Sequence, residues 1–300
     1  MAKKDLLLII QGGALCTAFS FLVFMWPIPG LFTKFFSLVP IFYVGIRLGV
    51  KEAIISALIP LFWTLLFLGV PQFVGQLLLF VPVILILNWH LFKVNGRYAY
   101  SIADILHLFA SRFFCFIVAC LISLKILGVP WIENLQSNFN EAVKLLQVHA
   151  PNNLFEILPS GVVFLWLMMI WLNFQIAYSA AIKAKIAKHK LSAKQNIYLK
   201  PVWDIALIAS LWLMLLNSIW LDSLFLAIFS RILVGMSAFP LFIDGLEIAQ
   251  IIAKSNNYPK IALRIFLIFT FMLVWPMIFV VLLGLMEPWY GLKQRYLSKE

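Results

Sequence analysis

The sequence predicts an all-α membrane protein: a polytopic helical bundle with about nine transmembrane segments (eight to ten) and one extracytoplasmic amphipathic helix. The first observation is composition, because 64% of the 300 residues are apolar and 12% are charged, against about 45–50% and about 25% in a soluble domain. The second is a mean hydropathy of +1.01. The third is that the apolar residues form continuous runs, which excludes the alternating strands of a transmembrane β-barrel.

Nine apolar runs match or approach the roughly 20 residues that a helix needs to cross the hydrocarbon core. They cover residues 6–25, 35–50, 53–70, 73–89, 105–128, 158–182, 202–218, 220–253 and 261–285. The first run lacks a small-residue cleavage site, so we expect a retained helix and not a signal peptide. We expect one integral membrane domain over 1–300, comprising N-terminal helices in 1–128, an amphipathic connection in 129–157 and C-terminal helices in 158–300.

The connection between residues 130 and 159 carries the amphipathic pattern. Its apolar residues recur at helical spacing among polar ones; they are Leu135, Phe139, Ala142, Val143 and Leu146. This pattern predicts a helix that either lies flat in the membrane interface or packs on the end of the bundle.

The net charge of +11 is interpreted as a sign of the protein's orientation in the membrane and not of a ligand. Lys and Arg concentrate in cytoplasmic connections. Six lysines lie between Lys183 and Lys200, which favours a cytoplasmic N-terminus and a basic surface against anionic lipid headgroups, with no nucleic acid bound. An odd number of crossings would place the basic C-terminal tail outside. A broken hairpin at residues 235–240 would return it to the cytoplasm.

Ionisable residues inside apolar segments are functional candidates, since placing a charge at the centre of a membrane helix costs about 2.5–3.5 kcal/mol. Arg231 lies in the eighth segment, and Asp244 and Glu247 follow on one helical face. These three residues are candidates for a polar substrate-binding cavity. In the alternative, Arg231 pairs with Asp204 or Asp222, and the acidic pair lies near the cytoplasmic end, where charge costs little.

Asn173 and Pro240 add to the candidate cavity. Asn173 lies deep in the sixth segment and either bridges helices or contributes to ligand binding. Pro240 removes a backbone donor between Arg231 and Asp244, and broken helices expose carbonyl groups to ligands in many transporters.

Motifs for common enzyme classes are absent from the sequence, including the nucleophile elbow, the zinc-protease helix, the phosphate loop and the dinucleotide fingerprint. The three cysteines and four histidines have no metal-ligand spacing. We therefore expect no enzymatic activity, no metal and no cofactor.

Three stretches carry a family resemblance. They are FFSLVPIFYVGIRLGVKEAIISAL at 35–58, PLFIDGLEIA at 240–249 and LGLMEPWYGLKQR at 283–295. With the length and the segment count, they resemble the YybS-like family of bacterial membrane proteins over residues 1–295. The most telling pattern is formed by Gly284, Leu285, Glu287, Trp289 and Arg295. No role is carried over to Asp244.

The N-terminal half is also similar in pattern to the S components of energy-coupling-factor vitamin transporters and to the cell-shape protein MreD. The first likeness implies a bacterial inner-membrane component that binds or transports a small molecule. In S components an Ala-x-x-x-Ala face of the first helix docks the transport module, and Ala14 and Ala18 match it. Without an ATP site of its own, such a protein would need a partner ATPase. The second likeness implies a non-transporting scaffold that recruits other membrane subunits or cytoplasmic partners.

Overall fold

A computed structural model describes residues 3–90, 102–126, 128, 130–146, 154–184, 202–256, 258–272 and 274–297. Every regular element in these ranges is helical, which confirms the all-α prediction for this part of the chain. The helices are α1 (Lys3–Met25), α2 (Pro27–Phe35), α3 (Val39–Arg47), α4 (Val50–Leu68), α5 (Val70–His90), α6 (Ile102–Ile126), α7 (Trp131–Leu146), α8 (Leu154–Lys183), α9 (Val202–Leu216), a π-helical turn (Asn217–Leu221), α10 (Leu224–Ser255), α11 (Lys260–Met272), α12 (Val274–Tyr290) and α13 (Leu292–Leu297).

Five of the described helices are long and apolar enough to cross a membrane. They are Lys4–Met25, Val50–Leu68, Leu158–Lys183, Val202–Leu221 and Leu224–Ser255. Shorter apolar helices cover Val70–Ile84, Phe109–Ser123 and Trp275–Tyr290. Large side chains such as Trp212, Trp220 and Phe279 point outward from them, as expected for surfaces in contact with lipid. The chain is a multi-pass membrane protein, and the total of nine crossings stays a prediction.

The structure corrects one of the predicted segments and rejects the alternative given for another. The second, at 35–50, is occupied by the end of α2 and by the separate short helix α3. The ninth, at 261–285, falls in α11 and α12, and residue 273 between them lies outside the described residues. The eighth is one continuous helix, α10, with Pro240 inside it. The broken-hairpin alternative is therefore wrong. A membrane helix tolerates proline when its surroundings satisfy the freed backbone group.

The amphipathic connection does contain a helix, α7, as its periodicity predicts. The polar residues Glu133, Gln136 and Asn140 are exposed. The Phe139 ring lies 5.6 Å, centroid to centroid, from the ring of Phe155 at the start of α8. Part of the predicted connection, residues 147–153, lies outside the described residues.

The helices group into two compact units, residues 1–105 with 166–195 and residues 106–165 with 196–300. In the first unit α1 packs on α2, α3 and α4. The approach of α1 to α4 is close because Gly13 has no side chain: an added Cβ would lie 2.7 Å from the Ser56 carbonyl oxygen. The Ser56 hydroxyl donates a hydrogen bond of 2.9 Å to the Ile9 carbonyl, which satisfies a polar group between the two helices.

In the second unit α9 and α12 both pack on α10. The α10–α12 contact is made by glycine backbones. A Cβ added to Gly245 would overlap the Val280 carbonyl oxygen, and one added to Gly284 would overlap the Leu241 carbonyl oxygen. Since 241 faces 284 and 245 faces 280, the two helices run antiparallel. This crossing brings the polar residues that follow Gly284 alongside those of α10.

We predict that Gly245→Ala destabilises the protein, because its new methyl group must push α12 away from α10. Overpacking of this kind typically costs about 1–3 kcal/mol. The measurement is thermal unfolding of the full chain in mild detergent. Gly161→Ala in α8 is the matched control, because nothing lies within 4 Å of a Cβ added there. Equal melting temperatures for the two variants would show that the α10–α12 contact is looser than described.

Candidate functional site

The crossing of α10 and α12 forms one wall of a cavity of about 250 Å³ in the second unit. Its described lining residues are Asp204, Leu241, Asp244, Gly284, Glu287, Pro288, Gly291 and Gln294. Three of them are carboxylates from three different helices, α9, α10 and α12. None of these lining residues is Lys, Arg or His, so the wall is formally acidic.

A lysine from the C-terminal segment binds the two acidic residues of α10. Lys293 Nζ lies 2.5 Å from Asp244 Oδ1 and 2.7 Å from Glu247 Oε2. The side chains of Lys293 and Asp244 are 0% and 2% exposed, whereas Glu247 is partly exposed. Buried charges are costly unless they are paired, so this contact ties the C-terminal segment to α10. The spacing of Asp244 and Glu247 predicts a shared helical face, and one ammonium group contacts both.

Glu287 fixes the backbone of the same segment. The Lys293 N–H lies 3.1 Å from Glu287 Oε2 and 3.3 Å from Oε1, so the buried carboxylate accepts a hydrogen bond from the first turn of α13. The chain turns between Tyr290 and Leu292 through Gly291, whose φ is +54°. Glycine adopts this left-handed conformation without a steric penalty. The turn carries Lys293 back towards Asp244.

Asp204, in the first turn of α9, is the unusual member of the cavity. It is 4% exposed, and its Oδ1 atom is buried without a hydrogen-bond donor among the described residues. Buried polar atoms in folded proteins nearly always have a partner. An unsatisfied carboxylate oxygen in the wall of a cavity is therefore a candidate ligand contact.

Arg231 lies apart from the acidic cavity. It precedes Asp244 by thirteen residues, or about 20 Å along a helix. It contributes to a second cavity of about 390 Å³, whose described lining also includes Asn217, Asp222 and Ser223. Of the two acidic residues considered as its partners, Asp222 lines this cavity and Asp204 lines the other one. The structure therefore does not bring Arg231 and Asp244 together.

Asn173 lies in the first unit, buried in the C-terminal part of α8. Its Nδ2 atom donates hydrogen bonds of 2.7 Å to the carbonyl of Phe35, at the end of α2, and of 2.7 Å to the carbonyl of Met169. Asn173 thus bridges α8 and α2, the first of the two roles expected for it.

Ala14 and Ala18 are both exposed on α1, whereas the nearby small residues Gly13 and Cys16 are buried. The small residues of this helix therefore form two faces. Gly13 serves the internal contact with α4, and the two alanines form a shallow outward face.

Sequence reasoning missed Lys293 and Glu287 as members of the site and considered Asp204 only as a partner for Arg231. Lys293 belongs to the basic C-terminal tail, which at the level of sequence is only an indicator of orientation. The acidic pair itself indicates that a basic partner lies nearby, because Asp244 and Glu247 in an apolar segment require a cation. The paired glycines Gly245 and Gly284 also indicated a close helix crossing.

Comparisons with protein-family models, with curated proteins and with solved structures give no match for this chain. The described residues also hold no group of three or more His, Cys, Asp or Glu side chains placed to bind a metal ion. The site is therefore interpreted from its own geometry: an acidic cavity whose wall includes Asp244, one member of an internal ion pair.

We predict that Lys293→Ala lowers the free energy of unfolding by about 3–5 kcal/mol, the usual cost of removing one partner from a buried ion pair. Equilibrium unfolding in mild detergent measures the loss. Lys254→Ala is the control, because Lys254 is an exposed lysine on the same helix as Asp244. If Lys293→Ala unfolds at the same denaturant concentration as Lys254→Ala, the ion pair does not hold the C-terminal segment.

Proposed function

We propose that this protein binds a small solute in the acidic cavity and acts as the substrate-binding component of a transport system in a bacterial inner membrane. The observation that carries the proposal is the Asp204 carboxylate, which is buried without a donor in the wall of a cavity of about 250 Å³. Solute sites are concave, with a few convergent polar groups on a largely apolar scaffold. Asp204, Asp244 and Glu287 supply such groups from three helices.

ATP-driven transport would require a partner, because the sequence has no phosphate-binding loop. We propose a partner ATPase module, as the similarity to the S components implies. The exposed Ala14 and Ala18 support this part of the proposal, since small outward residues let another helix approach closely. The alternative, a scaffold of the MreD type, would use the same outward face and would not need the cavity.

We further propose that the N-terminus, the connection at 183–200 and the C-terminal segment are all cytoplasmic. Asp204, in the first turn of α9, and Gln294, in the C-terminal segment, line one cavity, so they lie at the same end of the second unit. The lysine-rich connection leads directly into α9, although residues 185–201 lie outside the described residues. Because lysine-rich connections are usually cytoplasmic, the connection at 183–200 and the C-terminal segment are both assigned to the cytoplasmic side. With a cytoplasmic N-terminus as well, the proposed number of crossings is even.

The binding proposal predicts that a solute raises the melting temperature of the wild-type chain and has little effect on Asp204→Asn. The probes are four sets of defined small solutes: organic cations, zwitterionic amino acids, neutral sugars and organic anions. Thermal unfolding of the purified full chain in mild detergent reports binding, because a ligand that binds the folded state stabilises it. If no set stabilises the wild-type chain, the binding proposal fails and the scaffold alternative is favoured.

The topology proposal predicts that Ser192→Cys and Arg295→Cys react with a membrane-impermeant maleimide only after cells are permeabilised. Each is introduced into a chain whose native cysteines, Cys16, Cys115 and Cys120, have been replaced. Gln136→Cys, on the exposed polar face of α7, is the control and is expected to react in intact cells. Labelling of either test position in intact cells would place that position outside the cell and contradict the proposed topology.

A further inference from the structure

We infer that the solute bound in the acidic cavity is a small organic cation with an ammonium group, and that Asp204 is its charge partner. The inference rests on the proposed function and names the class of its ligand. It follows from three features of the cavity: the sign of its charge, its size, and the chemistry that its side chains already show with Lys293.

The charge of the wall selects a cation. Asp204, Asp244 and Glu287 converge from three helices, and the described lining residues include no basic side chain. Walls of one charge sign and low dielectric concentrate ions of the opposite sign. Asp244 is paired with Lys293, but an anionic solute would still meet Asp204 and Glu287 with no basic group in the described wall, so its entry would be unfavourable.

Lys293 shows which kind of cation these side chains accept. Its ammonium nitrogen contacts Asp244 and lies 2.7 Å from Glu247 Oε2, a distance typical of charge-assisted hydrogen bonds. An ammonium group has three donors and no acceptor, which suits a site rich in carboxylate oxygens. A ligand ammonium group would make the same kind of contact with the neighbouring Asp204.

Asp204 is the carboxylate that remains available to a ligand. Asp244 already accepts the Lys293 ammonium group, and Glu287 already accepts the Lys293 N–H. By contrast, the Oδ1 atom of Asp204 is buried with no donor within the described part of the chain. A bound ammonium group would therefore give Asp204 the partner that it lacks.

The size and lining of the cavity favour an organic cation over a bare metal ion. A volume of about 250 Å³ is much larger than the roughly 30 Å³ that one water molecule occupies in the liquid. Leu241 and Pro288 offer apolar surface for a short carbon chain, and Gln294 offers a neutral polar contact. No group of side chains in the described ranges is placed to hold a metal ion.

The test uses propylammonium as the probe, with propanol, propionate and sodium as comparison solutes at constant ionic strength. We expect propylammonium to raise the melting temperature of the detergent-purified full chain and the three comparison solutes to leave it unchanged. Tetramethylammonium carries the same charge without an N–H donor, and we expect it to bind more weakly. Stabilisation by sodium equal to that by propylammonium would overturn the choice of an organic ammonium ligand.

Asp204→Asn tests the assigned partner, because it removes the charge and retains the shape of the side chain. We expect it to bind propylammonium about tenfold more weakly or worse, the loss that follows when a charged group loses its hydrogen-bond partner. Asp222→Asn is the matched control: it removes one negative charge from the same unit, at a position with φ +41° where asparagine is well tolerated. Equal weakening in both variants would overturn the role of Asp204.

Two further outcomes separate this inference from the proposed function. If only neutral or anionic solutes stabilise the wild-type chain, the ligand class is wrong and the proposal of a solute-binding protein stands. If no probe of any class stabilises it, both fail. Should Asp204→Asn not fold, the contrast between propylammonium and propanol on the wild-type chain decides the ligand class by itself.

Discussion

The close approach of two glycine backbones, at Gly245 in α10 and Gly284 in α12, is the constraint on which the candidate site depends. With side chains at these positions the helices would have to separate, because each added Cβ would overlap a carbonyl oxygen of the other helix. The antiparallel crossing places the end of α12 and the turn at Gly291 beside Asp244. Lys293 can then reach two carboxylates that would otherwise be buried without a cation, a costly arrangement in a low-dielectric environment.

The ion pair and the cavity are two consequences of the same crossing. The Lys293 side chain binds Asp244 and Glu247 of α10, and Glu287 of α12 accepts the Lys293 backbone N–H. The cavity wall contains one more carboxylate than the neighbouring donors satisfy, because Asp204 has a buried oxygen that accepts no hydrogen bond from the described residues. A purely structural cluster tends to be fully satisfied. The surplus charge is the physical reason for assigning a cationic ligand to this cavity and for regarding the ion pair as its support.

Much of the helical architecture could be predicted from the sequence, because long apolar runs report directly on helices in lipid. The runs predict α1, α4, α5, α6, α8, α9 and α10, and the shared face of Asp244 and Glu247 follows from helical periodicity. The pairing with Lys293 could not be predicted, because it depends on which helices cross and at which residues. The continuity of α10 at Pro240 could not be predicted either. A proline is compatible with a break in the helix, whereas packing inside the second unit keeps α10 continuous. The sequence predicts Arg231 and Asp244 in one cavity because both are charges in an apolar run, but thirteen residues of α10 separate them.

The central claim is that Lys293 and Asp244 form a buried, energetically coupled pair at the α10–α12 crossing. A double-mutant cycle in mild detergent tests it most directly, using Lys293→Met, Asp244→Leu and the chain that carries both substitutions. We expect each single variant to be strongly destabilised and the double variant to recover part of the loss, with a coupling energy above about 1 kcal/mol, since contacting residues are not additive. If the two losses simply add, the side chains do not interact, and the account of the C-terminal segment and its cavity is wrong.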